Sequence, residues 1–137
     1  MNQTAADTVG WPAYVDEVAA AYRRLPPATQ AHTVIVATNY GEAGAIDRYG
    51  PRLHLPVSLS AQNQLYFQGR PPASATVTIF VGAELVRAQT LFRSCRVVGS
   101  LDNRVDVDNE EQGQPIAVCR APLGGWQRIW PLLRHED

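Results

Sequence analysis

A chain of 137 residues, 45% of them hydrophobic, is sized for one domain with its own core. Its formal net charge of -1 and pI near 6.3 argue against a nucleic-acid partner, which would call for a basic face. All twelve basic residues are Arg, which excludes Schiff-base lysine chemistry and the Walker A phosphate loop.

The N-terminal run Met1 to Asp7 has neither the basic start nor the apolar stretch of a signal peptide. No apolar run approaches the roughly 20 residues that span a bilayer, so the chain by itself is expected to be soluble. It either stays in the cytoplasm or takes its targeting from a larger protein. Residues 1–10 read as a flexible lead-in, 11–134 as a single α/β domain and 135–137 as a tail. No repeat or low-complexity tract interrupts them.

Trp11, Tyr14, Val15, Val18, Tyr22 and Leu25 follow the i, i+3, i+4, i+7 spacing of an amphipathic helix. Pro12 suits its first turn and Pro26-Pro27 stops it. His32 to Thr38 is a β-branched block typical of a buried parallel strand. Ala43, Ile46 and Tyr49 then recur at helical spacing until Gly50-Pro51. A short strand over 56–59 precedes the amide- and aromatic-rich segment Ser60 to Gly69.

Thr76 to Val81 is a second buried strand, ending at Gly82. Leu85, Ala88, Leu91 and Phe92 mark a helix, and 95–101 a further strand. An acidic loop over 102–114 leads to the last strand, 115–120. Trp126, Ile129, Trp130 and Leu133 form one stripe of a terminal helix that Pro131 should kink or cut short. This order predicts a three-layer α/β/α sandwich, Rossmann-like, with a mainly parallel central sheet and room for an antiparallel edge.

Strand ends that lead into helices collect ligand groups in such sheets, because polar side chains and helix N–H groups meet there. Asn39, Tyr40 and Glu42 fall at the first of these junctions. They read either as contacts to a hydroxyl-rich or phosphorylated ligand, or as a cap (Asn39), a packing ring (Tyr40) and a dipole partner (Glu42). The glycines here do not form G-x-G-x-x-G, so no dinucleotide site is expected.

Gln62, Asn63 and Tyr66 lie in a segment of the kind that contacts carbohydrate, where amides bond hydroxyls and rings stack on sugar faces. The same segment also fits an ordinary strand with Leu65 and Phe67 inward and Gln64, Tyr66 and Gln68 outward. Asp102, Asp106, Asp108, Glu110 and Glu111 miss the calcium-loop pattern, since Glu111 falls where the turn glycine belongs; a solvated loop is expected. His32, His54 and His135 lack metal-ligand spacing, and no nucleophile–base set or cofactor motif is present. Cys95 and Cys119 sit on strands that could be neighbours, either paired in an oxidising compartment or as two buried thiols.

Asn39-Tyr40-Gly41-Glu42-Ala43-Gly44-Ala45-Ile46-Asp47, with Tyr49-Gly50-Pro51-Arg52 and Leu55-Pro56, resembles the C-terminal region of bacterial membrane glycosyltransferases. These are of the GT-C type, in the dolichyl-phosphate-mannose–protein mannosyltransferase-like family. Ser60-Ala61-Gln62-Asn63 stands where that family carries Ser-Gly-His-Asn, and Tyr66 and Gln68 stand where it carries tryptophans. Asp102-Asn103, Asn109-Glu110 and Val118-Cys119-Arg120 are similar to its closing elements. Gly10-Trp11 is similar to the junction after its last membrane helix.

The resemblance implies an extracytoplasmic accessory domain of a polytopic enzyme that takes sugar from a polyprenyl-phosphate carrier. Its partners would be the transmembrane part of that enzyme and glycan or polyprenyl-phosphate-linked substrate. The family's catalytic carboxylate lies in an extracytoplasmic loop of the membrane part, so the resemblance assigns no catalytic residue here; no metal or cofactor is expected. Asn39, Tyr40, Glu42, Gln62, Asn63 and Tyr66 are the expected contacts. A structural or protein-interaction domain, or a free-standing cytoplasmic α/β enzyme, are the alternatives.

Overall fold

The computed structural model describes residues 10–105 and 107–136. The expectation of a flexible lead-in, apart from Gly10, and the residues Asp106 and Asp137 fall outside them. Helix α1 (Trp11–Arg23) has Pro12 in its first turn and no side-chain cap, and Gly10 enters it in the left-handed region. A short α2 (Pro27–Gln30) follows the proline stop. Then come β1 (Thr33–Ala37), α3 (Tyr40–Tyr49), a 3-10 turn Pro51–Leu53 and β2 (Ser58–Ser60).

After a second 3-10 segment, Asn63–Gln68, the chain forms β3 (Val77–Val81), α4 (Leu85–Ala88) and a 3-10 turn Gln89–Leu91. It closes with β4 (Phe92–Ser100), β5 (Pro115–Pro122) and α5 (Trp126–Leu133). Pro131 lies inside α5, which runs only two residues past it. Among the described residues no helix is long and apolar enough to cross a membrane.

The five strands lie in the order β2-β1-β3-β5-β4. The mainly parallel, Rossmann-like sandwich expected from the sequence is not what forms. β1 pairs in parallel with β2 and β3, but β5 pairs antiparallel with both β3 and β4. Half of the pairings are therefore antiparallel, and they reach the middle of the sheet instead of finishing its edge.

Strand direction explains the difference. β4 runs the same way as β1, β2 and β3, as the alternation of strands and helices suggests. The chain then returns through 102–114 and inserts β5 between β3 and β4. Composition dictates that insertion. Ile116, Ala117, Val118 and Cys119 are all buried and need neighbours on both edges and both faces, whereas β4 carries Arg93 and Arg96 and is largely exposed. Charged residues of that kind belong on an edge strand.

Alternation along the strands feeds two cores. On one face Ile35, Ile79, Val81 and Val118 meet Tyr14, Val15 and Val18 of α1 and Ile46 of α3. On the other, Val36, Phe80, Ala117 and Cys119 meet Leu85 and Ala88 of α4 and Trp126, Ile129, Trp130 and Leu133 of α5. Cys95 and Cys119 stand directly opposite each other on β4 and β5 and are joined as a cystine.

Candidate functional site

The C-terminal ends of β1 and β3 and the start of α3 open into a cleft of 470 Å³. Trp11, Thr38, Asn39, Tyr40, Glu42 and Gln62 line one part of it, and Glu84, Glu110, Glu111 and Gln114 the other. Four of the six contacts expected from the sequence thus come together: Asn39, Tyr40, Glu42 and Gln62. The other two do not. Asn63 donates from Nδ2 to the Glu136 carbonyl at 2.9 Å, and its own N–H bonds the His135 carbonyl at 2.8 Å. Tyr66 stacks on Trp130 at 5.9 Å and packs with the α5-side core.

Segment 60–69 also decides against its strand alternative. Asn63–Gln68 is a 3-10 helix, not a strand, and Phe67 is 62% exposed instead of facing the core. The tail that follows α5 runs alongside it, with a bridge between Gln62 and His135. His135 is held there by its Nε2, 2.7 Å from the Thr38 carbonyl.

Local chemistry fixes the first wall of the cleft. Asn39 has extended backbone and caps α3 in a capping box: its Oδ1 accepts from the Glu42 N–H at 2.9 Å, and Glu42 Oε1 accepts from the Asn39 N–H at 3.3 Å. Glu42 Oε1 also accepts from the Thr38 N–H at 2.8 Å. Gln62 reaches across from beyond β2, and its Oε1 accepts the Tyr40 N–H at 2.8 Å, satisfying a first-turn donor of the helix. Tyr40 is 47% exposed, with its hydroxyl 3.4 Å from the Gln64 N–H. Asn39 Oδ1 and Glu42 Oε1 are thus committed to the main chain, while Tyr40 stays partly open to the cleft.

The second wall is the loop over 102–114, and it is built, not merely solvated. Asn103 donates from Nδ2 to the Val107 carbonyl at 2.6 Å and accepts at Oδ1 from the Val105 and Val107 N–H groups. Asn109 Oδ1 accepts from the Glu111 and Gln112 N–H groups, and from the buried Tyr14 hydroxyl of α1 at 2.9 Å. This scaffold brings Glu111 onto the start of α3, where Asn39 Nδ2 donates to Glu111 Oε1 at 2.9 Å.

Glu42 and Glu111 are both buried and face each other. The Glu42 carboxyl is held well above its ordinary 4.5, first by burial, then by its hydrogen bond to Glu111 and by the Glu111 charge. The Thr38 and Asn39 N–H groups oppose that shift only in part. Glu111 Oε2 is buried with no N–H or hydroxyl partner, so the proton kept by Glu42 is the donor available to it. Gly82 makes the space: with φ at 107°, a Cβ there would lie 2.7 Å from both Glu42 carboxyl oxygens.

Trp11 completes the cleft. Its ring lies against Gly41, where a Cβ would come within 3.0 Å of the indole, and it meets Tyr14 edge to face at 5.4 Å. The sequence alone does not mark Trp11, Glu84, Glu110, Glu111 or Gln114 as site residues. The only signal for Glu111 was an acidic loop, a pattern that solvation explains equally well. Among the described residues no group of His, Cys, Asp and Glu could hold a metal.

Comparison with protein-family models, curated proteins and solved structures finds no match to this chain. The cleft's chemistry therefore carries the functional argument.

Proposed function

We propose that this chain is a non-catalytic, glycan-contacting domain of an extracytoplasmic membrane glycosyltransferase that uses a polyprenyl-phosphate-linked sugar. In that role it holds acceptor or glycan, or covers the mouth of the catalytic part. The observation that carries the reading is the cleft itself. It combines the rings of Trp11 and Tyr40 with the carboxylates of Glu84 and Glu110 and the amide of Gln114. Rings suit the apolar faces of sugars, and carboxylates and amides accept from hydroxyls. The Cys95–Cys119 cystine accords with an oxidising compartment. The resemblance of residues 39–56 supplies the link to the enzyme class.

Titration with mannose oligosaccharides and polyprenyl-phosphate analogues tests this, followed by NMR at the Trp11 indole and the Tyr40 ring. Both signals should shift, and Trp11→Ala should weaken binding about tenfold, roughly 1.4 kcal/mol. A flat response to every sugar would reject the reading.

A second reading, a scaffold or protein-interaction domain, is favoured by one observation. Asn39 and Glu42 spend their polar atoms on the capping box and on Glu111 instead of the open cleft. Under that reading Trp11→Ala changes stability alone.

A further inference from the structure

At the opposite end of the sheet from the cleft, α1 covers β4 and β5 only in part. Two adjoining hollows of 410 and 360 Å³ lie there and share Arg96 and Val118. Arg24, just past the end of α1, lines the first with Leu25 and Val98. Ser94 and Arg120 line the second. Among the described residues no acidic side chain lines either hollow.

Strand register brings these arginines together. Arg96 is paired with Val118, and Ser94 with Arg120, so Arg96 and Arg120 are diagonal neighbours on one face of the β4–β5 ladder. That face is the α1 side, because Val118 packs in the α1 core. Arg24 is drawn over the same strands by a bond from Nη1 to the Val98 carbonyl at 3.3 Å. Each of Arg96 and Arg120 directly follows a cysteine of the cystine, which fixes the register of the two strands that present them.

Ion pairs among the described residues engage Arg87 and Arg104, and none of these three arginines. Arg96 and Arg120 are exposed. Three arginines thus border the adjoining hollows with no carboxylate partner among the described residues, a setting that favours an anion. The guanidinium fork matches phosphate oxygens in pairs, and the Ser94 hydroxyl adds a further donor beside Arg120.

We infer that the groove bounded by Arg24, Arg96 and Arg120 binds a phosphate group, as a monoester or diester. The apolar floor of Leu25, Val98 and Val118 accepts the organic part of the ligand. This site is separate from the cleft and does not depend on the glycan reading.

The test uses the intact chain and two probes, inorganic phosphate and vesicles of phosphatidylglycerol, with sodium chloride at matched ionic strength and phosphatidylcholine vesicles as controls. The Nε–Hε resonances of Arg96 and Arg120 are followed by NMR for phosphate, and co-sedimentation for vesicles. Saturable phosphate binding that the chloride control does not reproduce, weakened at least tenfold in Arg96→Gln/Arg120→Gln, supports a soluble phosphate ester. Sedimentation with the anionic vesicles alone, lost in the same variant, supports a lipid headgroup as the source of the phosphate. No response to either probe, or a response the variant leaves intact, overturns the inference. Should the double variant not fold, Arg96→Glu at its exposed edge position is read by the same criteria.

Discussion

Glu42 illustrates how one residue can satisfy a local rule and a tertiary one together. Locally it is the third residue of a capping box; in the folded protein it is also half of a buried carboxyl pair. Its folded pKa is raised, so the sign of its linkage is clear. Below 4.5 the group is protonated in folded and unfolded chains alike, and its contribution to stability is whole. As pH rises, the unfolded chain ionises Glu42 while the folded one retains the proton, and stability falls until the folded pKa is passed. The slope is about 1.4 kcal/mol per pH unit. Glu42→Gln keeps an acceptor for the Thr38 and Asn39 N–H groups and offers an N–H to Glu111. It should remove that slope and leave the protein more stable than wild type near neutral pH. Urea denaturation between pH 5 and 8 measures it; parallel curves for the two proteins would contradict the shared proton.

Among the elements, the β4–β5 hairpin joins features that the sequence shows only one at a time. A cystine crosses its two strands, and the register shift between Val97 and Gly99 leaves Val98 as an extra residue on the edge strand. Cys95 and Cys119 are separated by 24 positions, and closing a loop of that size stabilises the fold by about 3.5 kcal/mol in the chain-entropy treatment. Reduction, or Cys95→Ser with Cys119→Ser, should lower the unfolding free energy by roughly that amount. Thiol titration of the unfolded, unreduced protein should find none of the two cysteines free. The loop that closes this hairpin owes its order to Asn103, Asn109 and Gln112, which bond its own main chain and Tyr14.

For the molecule as a whole, the position of β5 matters most. It lies between β3 and β4, buried on both faces, so its amides should open only in global unfolding. Native-state hydrogen exchange should therefore rank Ile116 to Cys119 with β3, ahead of β2 and β4. Fast exchange at those four residues would point to the edge position expected of the last strand in a mainly parallel sheet. The same topology separates charge: carboxylates gather where β1 and β3 end, and arginines without an ion pair among the described residues where β5 ends. Opposite rims of one sheet thus present opposite chemistries, although the net charge is only -1.

Local pattern was enough to place the helix from Trp11, the buried strands near 33–37 and 77–81, the Asn39 cap and the Trp126–Leu133 stripe. Each depends on spacing or on residues within a few positions of one another. It also identified Asn39, Tyr40 and Glu42 as neighbours of a strand end, whereas Gln62, read only as part of segment 60–69, joins them through a tertiary bond. Local pattern could not decide which strand sits beside which, because an alternating run is silent about its partner. Nor could it show that Glu111, 69 residues beyond Glu42, returns to share its proton. Those contacts exist only once β5 inserts into the sheet and brings the loop before it down onto α3. Burial across the sheet, not propensity along the chain, set the mixed topology and assembled the cleft.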